Sequence, residues 1–271
     1  MNSNATSGKP VKLERDGAVA TLTLARAEMH NALVPELLEP LLTALEQLHT
    51  DASIRAVVLA AEGPAFSIGG DMRRFHAESE VGAANLIHYS GRLVGLLNRT
   101  VLAMVNLPQP VIAAVHGTVT GGSIGFVAGA DLLVLAESAV FKAHYANAGF
   151  CPDGGWTACM GDLIGTRRAA AALLLNRSIT ASEALEWGLA TELAPADQVL
   201  SRALKLASKI AGYAPGTMRH AKRLLASDAA TLAARLEAER RGFLELVGTD
   251  TARAGVVNFL DTFKNYPGGK P

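Results

Sequence analysis

The sequence predicts an α/β fold on three observations. Residues 18–25 alternate Ala20, Leu22 and Leu24 against Thr21 and Thr23, the two-residue period of a half-buried strand. Residues 56–61, 111–115 and 131–136 are short, nearly continuous apolar runs, the pattern of strands in a sheet covered on both faces. Between these runs the apolar period lengthens to that of a helix.

Taken in chain order, residues 18–25 form the opening strand. Pro35 then suits the first turn of a helix whose apolar face is Leu37, Leu38, Leu41, Leu42, Leu45 and Leu48. The strand at 56–61 follows, then a more polar helical stretch over 81–104, the strand at 111–115, a helix after Gly122 and the strand at 131–136. Beyond Gly165 the segments 166–176, 181–187, 196–213, 215–227, 228–247 and 250–265 are all helical by pattern, so the last third is expected to be α-helical throughout. Residues 1–10 read as a disordered polar lead, 11–200 as the core, and 201–271 as a helical segment of the same functional unit. No internal repeat divides the chain.

A chain of 271 residues that is 49% hydrophobic can bury one sizeable core. Its 25 basic and 25 acidic residues balance without like-charge blocks, which gives no support to a nucleic-acid or membrane-surface partner and points to small molecules. Cys151 and Cys159 lack the neighbours of a disulfide framework or a zinc site and fit a reducing cytoplasm. His30, His76, His88 and His116 show no ligand spacing, so no metal is expected. The apolar runs fall short of the roughly 20 residues that span a bilayer, and the polar lead lacks the pattern of a signal peptide.

Two glycine-rich turns carry the chemistry. Residues 63–72 follow one predicted strand and contain Gly69-Gly70-Asp71; residues 116–126 follow another and contain Gly121-Gly122-Ser123 before a helix. Glycine permits backbone paths that bring N–H groups against a ligand, and a helix N-terminus adds unpaired donors suited to developing negative charge. Either turn alone is most simply a chain reversal. The second does not give the G-x-G-x-x-G spacing of a dinucleotide site, and no Gly-Lys-Ser/Thr follows for a phosphate loop.

As a pair the turns resemble the crotonase (enoyl-CoA hydratase/isomerase) family, whose motifs read Ala-Phe-x-x-Gly-x-Asp and, some fifty residues on, Gly-x-x-x-Gly-Gly-Gly. The likeness extends to Arg26, Asn31, Ala32 and Leu33, to residues 107–115, to Asp131, to Pro152-Asp153-Gly154-Gly155 and to residues 173–189. It implies a spiral of ββα turns with C-terminal helices, assembled as a homotrimer or homohexamer. It implies an acyl-CoA substrate, with coenzyme A part of that substrate and no separate cofactor. By position, the N–H groups of Ile68 and Gly122 become the oxyanion donors. Arg26, Met29, Ala65, Ile68, Gly69, Gly70, Asp71, Gly121, Gly122 and Tyr145 become the substrate-binding residues.

Family hydratases add water with two glutamates, and those positions here hold Gly125 and Tyr145. Asp153 stands where the isomerase branch carries its acidic base, close to Phe150 and Tyr145, whose apolar surroundings would raise its pKa. The resemblance therefore implies double-bond isomerisation with Asp153 as proton shuttle. The other readings are hydration by a non-standard route, dehalogenase-type chemistry with Asp153 as nucleophile on an aromatic acyl-CoA, a CoA-binding protein without activity, and an ordinary Pro-Asp-Gly-Gly turn. His144 is a reserve candidate beside the acyl pocket, Arg73 or Arg74 for CoA phosphates, and Phe259, Phe263 and Tyr266 form an apolar helix face.

Overall fold

A computed structural model describes residues 8–226 and 228–263. Most of the expected disordered lead, and Tyr266, lie outside the described residues.

The chain opens with a hairpin that the sequence reading missed in part: β1 (Val11–Asp16) pairs antiparallel with β2 (Val19–Leu24). Helix α1 (Pro35–Thr50) has the expected proline in its first turn and buries the expected leucines. Strand β3 (Ala56–Ala61) lies parallel to β2. The helical stretch expected over 81–104 is α3 (Ala83–Val105); a further helix outside that expectation, α2 (Met72–Val81), precedes it, and the two are broken at Gly82, whose φ of 147° no other residue adopts without strain.

A repeating unit then appears. β4 (Val111–Val115) is followed by β5 (Thr118–Thr120) and α4 (Ile124–Ala128); β6 (Leu132–Ala136) is followed by β7 (Val140–Lys142) and α5 (Tyr145–Ala148). The first strand of each unit enters a six-stranded sheet ordered β1-β2-β3-β4-β6-β9, and the second enters a three-stranded sheet, β5-β7-β8. A parallel bridge from Ser67 to Val119 shows the stretch after β3 following the same course. This is a spiral of ββα turns. Every pairing in the larger sheet after the first hairpin is parallel. Strand β4 is buried along its whole length, as the continuous apolar run requires.

The last third is α6 (Met160–Ile164), α7 (Thr166–Leu174), β8 (Ile179–Thr180), α8 (Ala181–Glu186), β9 (Glu192–Ala194), α9 (Val199–Ala211), α10 (Pro215–Leu225), α11 (Ala229–Val247) and α12 (Asp250–Thr262). The expectation of helix alone is corrected by β8 and β9. They are too short to show a period, and β9 exists because β6 offers it an edge. Helix α9 lies on the larger sheet through Ala203, Ala207 and Ala211, all buried, where small side chains allow close approach. Among the described residues no helix is long and apolar enough to cross a membrane.

Because Ala207 is fully buried against the sheet, Ala207→Leu is expected to overpack this layer by about 1–3 kcal/mol. Urea unfolding followed by circular dichroism should show a lower midpoint, and an unchanged midpoint would contradict the packing described.

Candidate active site

The spiral brings the two glycine turns together. The Ser67 N–H donates to the Thr118 carbonyl at 3.2 Å, and the Thr120 N–H donates to the Ser67 carbonyl at 3.1 Å. The Ser123 hydroxyl lies 3.1 Å from the Ser67 carbonyl and 2.6 Å from that of Thr120. Gly69 has φ 74°, and a Cβ there would sit 2.6 Å from the Thr120 carbonyl oxygen, so backbone meets backbone. Gly122 is the second residue of the helical turn Gly121–Ser123, where an N–H has no acceptor within the helix.

A third turn closes on the second. Gly154 adopts φ 65°, and a Cβ on it would lie 2.2 Å from the Gly122 carbonyl oxygen. The Trp156 indole donates to the Gly121 carbonyl at 2.9 Å. This contact delivers the Asp153 carboxyl to Gly122: a Cβ at Gly122 would come within 2.8 Å of Asp153 Oδ1. Tyr145 donates its hydroxyl to the same Oδ1 at 2.5 Å and lies 3.1 Å from the Asp153 carbonyl.

Burial lifts the Asp153 carboxyl to a pKa of about 7, and the negative charge of Glu239 adds to the rise, while the Tyr145 hydrogen bond opposes it. Burial and the neighbouring Asp153 hold the Tyr145 hydroxyl protonated well above its ordinary range. Asp153 thus changes charge near neutrality while Tyr145 stays a donor.

These groups border an apolar cavity with about 570 Å³ of empty space, mouth included. Its wall includes Phe75, Leu97, Phe150, Phe243 and Phe259, with Asp153 and Tyr145 among the few polar groups. Phe75, Phe150 and Phe243 touch one another, with ring centroids 5.0–6.1 Å apart.

Of the residues named from sequence, the cavity wall includes Ile68, Gly70, Gly121, Gly122, Tyr145 and Asp153, and does not include Arg26, Met29, Ala65, Gly69 or Asp71. The Ile68 N–H points to the His30 carbonyl at 3.3 Å, so this donor is already engaged. Asp71 caps α2, accepting from the N–H groups of Arg73 at 3.0 Å and Arg74 at 3.4 Å. Arg26 is held by Asn31 Oδ1 at its backbone N–H, and Asn31 Nδ2 donates to the carbonyls of Glu62 and Ala65. Arg74 pairs with Glu78 at 2.9 Å. His144 does reach the cavity, its ring edge-on to Phe259 and Phe263, and burial lowers its pKa. Burial raises the thiols of Cys151 and Cys159, so both are poor nucleophiles. Among the described residues no group of three metal-ligating side chains converges.

At Gly125 a Cβ would lie 2.6 Å from both the Gly154 carbonyl oxygen and Val101 Cγ2. The backbone of the acid turn fills the space that a side chain there would need. Sequence reasoning missed Glu239, whose carboxylate holds this turn from α11. The signal was present: Leu232, Leu236, Glu239 and Phe243 share the buried face of that helix, a charge in an apolar stripe.

The model of the family described as enoyl-CoA hydratase/isomerase matches residues 14–268. The chain belongs to that family. Members similar to it include a probable enoyl-CoA hydratase of Mycobacterium bovis, 34% identical over 83% of this chain and 80% of the relative. A 4-chlorobenzoyl coenzyme A dehalogenase of Arthrobacter is 33% identical over 78% of this chain and 75% of its own. The crystal structure of an enoyl-CoA hydratase/isomerase from Mycobacterium paratuberculosis superposes with TM-score 0.83 at 26% identity, covering 92% of this chain and 98% of that one. The architecture is therefore that of the hydratase/isomerase fold.

Two outcomes follow from the geometry. Gly125→Glu, which restores the residue type that family hydratases carry, is expected to cost about 1–3 kcal/mol by overpacking and to yield no hydration of crotonyl-CoA; a stable, hydrating variant would refute the packing account. Asp153→Asn bears on stability. A buried carboxyl whose pKa is raised when folded destabilises the protein as pH climbs from the ordinary value near 4 to about 7. The variant's melting temperature should match wild type near pH 4 and exceed it from pH 7 upward.

Proposed function

We propose that this family member isomerises the double bond of an enoyl-CoA thioester through an enolate. The observation that carries the reading is the Asp153 carboxyl, buried over Gly122 in the cavity and titrating near pH 7. A group with that pKa both takes and returns a proton at neutral pH.

In this reading the thioester oxygen accepts the Gly122 N–H and a second donor from the Ile68 to Gly70 segment, which borders the same cavity. For Ile68 to serve, its N–H must leave the His30 carbonyl for the oxyanion. Asp153 Oδ2 removes the proton alpha to the thioester, and the electron pair moves onto the thioester oxygen. The same carboxyl returns the proton two carbons away as the oxygen's charge collapses and the double bond reforms in its new place. Tyr145 holds Oδ1, and the Phe75, Phe150 and Phe243 wall keeps the surroundings of the acyl chain apolar. Coenzyme A enters as part of the substrate. A cytoplasmic location and assembly as a homotrimer or homohexamer belong to the same reading; the exposed Leu174, Leu175, Leu224 and Leu225 are apolar surface that such an assembly would cover.

A second reading draws on the dehalogenase relative, with Asp153 attacking an aromatic ring as nucleophile. Proton transfer is preferred because a carboxyl with a pKa of about 7 can both take and return a proton at neutral pH, which nucleophilic attack does not need.

Incubation with 3-enoyl-CoA in deuterated water is expected to give the 2-enoyl product with deuterium exchange, and crotonyl-CoA to remain unhydrated. Asp153→Asn should lose ~10²-fold or more of this turnover while still binding the CoA ester. Wild-type turnover by that variant, hydration of crotonyl-CoA, or a covalent adduct on Asp153 with a 4-halobenzoyl-CoA would each replace the isomerase reading.

A further inference from the structure

Glu239 projects from the middle of α11, is buried, and accepts four hydrogen bonds from the stretch directly after the acid turn. The Gly155 N–H reaches Oε2 at 2.8 Å. The Thr157 N–H, the Thr157 hydroxyl and the Ala158 N–H reach Oε1 at 2.7, 2.7 and 2.9 Å. Among the described residues no cation pairs with it. Arg235, one turn back on the helix, sends its guanidinium to the Ala158 carbonyl at 3.3 Å and to Asp162 at 2.6 Å. Glu239 therefore remains a buried anion solvated by N–H and O–H dipoles.

This arrangement exceeds what a turn needs to fold. Gly154 is already pressed on Gly122, and Trp156 is already tied to the Gly121 carbonyl. What Glu239 adds is a hold on residues 155–158 and a negative charge that raises the Asp153 pKa further.

We propose that Glu239 is a positioning residue for Asp153: its carboxylate grips residues 155–158 and so holds the acid turn against the oxyanion turn. Two titratable groups bear on Asp153: Tyr145 from α5, which donates to it, and Glu239 from α11, which repels its anion. Around Glu239 the other ionisable groups are Cys151 and Cys159, both held as neutral thiols by burial, and the committed Arg235. Removing the Glu239 charge leaves burial alone to oppose the Tyr145 hydrogen bond that stabilises the Asp153 anion.

The kinetic part of this proposal rests on the isomerase reading, so the decisive measurement is made without turnover. The carboxyl infrared band of Asp153, assigned by its loss in Asp153→Asn, is titrated in the whole protein. In wild type the midpoint is expected near 7. In Glu239→Gln, which keeps the shape and removes the charge, the midpoint should fall by about one pH unit. The acid limb of the kcat profile should move with it, and the maximal rate should drop several-fold at unchanged KM. Thr157→Val, which removes one donor and keeps the charge, should move the midpoint the other way, and it serves if Glu239→Gln does not fold.

A midpoint and kcat profile in both variants that superpose on wild type, with only the melting temperature lowered, would reduce Glu239 to a structural tie and overturn the proposal. Retained turnover in Asp153→Asn would overturn the isomerase reading instead, leaving the infrared result to decide on Glu239.

Discussion

The site depends on one close contact between two stretches of backbone. Gly154 lies so near Gly122 that neither position has room for a methyl group, and Gly69 stands in the same relation to Thr120. Three turns from separate parts of the chain are thereby stacked at backbone distance. Glycine is required at all three positions by space, since a Cβ at any of them would meet a carbonyl or carboxyl oxygen within 3 Å, and at Gly69 and Gly154 by positive φ as well. That stacking sets a carboxyl beside an N–H at a helical turn, and the spiral of paired strands is what brings them into register.

The same turn also limits what can line the cavity. With the Gly154 carbonyl against Gly125, no side chain has room there, and Tyr145 uses its hydroxyl on Asp153. The polar side chains of the cavity are few: the Asp153 carboxyl, the Tyr145 hydroxyl, Thr120 and His144, within a wall that is otherwise apolar. Burial in that wall is what raises the Asp153 pKa most.

Elsewhere the protein treats buried charge differently. Lys222, also buried, pairs with Asp131 at 2.8 Å and donates to the carbonyls of Met104 and Gln109, so the charge of that cation is offset where it lies. Among the described residues no such cation pairs with Glu239 or Asp153. Burial, with a smaller contribution from the Glu239 charge, raises the pKa of the carboxyl that faces the cavity.

The amino-acid sequence by itself determined the α/β class, most of the long helices, the central strands and the pairing of the two glycine turns, because these are written in local periodicity and in glycine after strand. It also singled out Asp153, Gly125 and Tyr145 as candidate positions. Only the tertiary structure decided what surrounds them. Strands as short as Glu192–Ala194 exist through a partner distant in the chain. Asp71 serves as a helix cap, and the Ile68 N–H faces the His30 carbonyl, because local backbone geometry claimed them first. Glu239 reaches the acid turn from more than eighty residues away. Burial, and the direction in which an N–H points, are properties of the packed chain, and no spacing along the sequence encodes them.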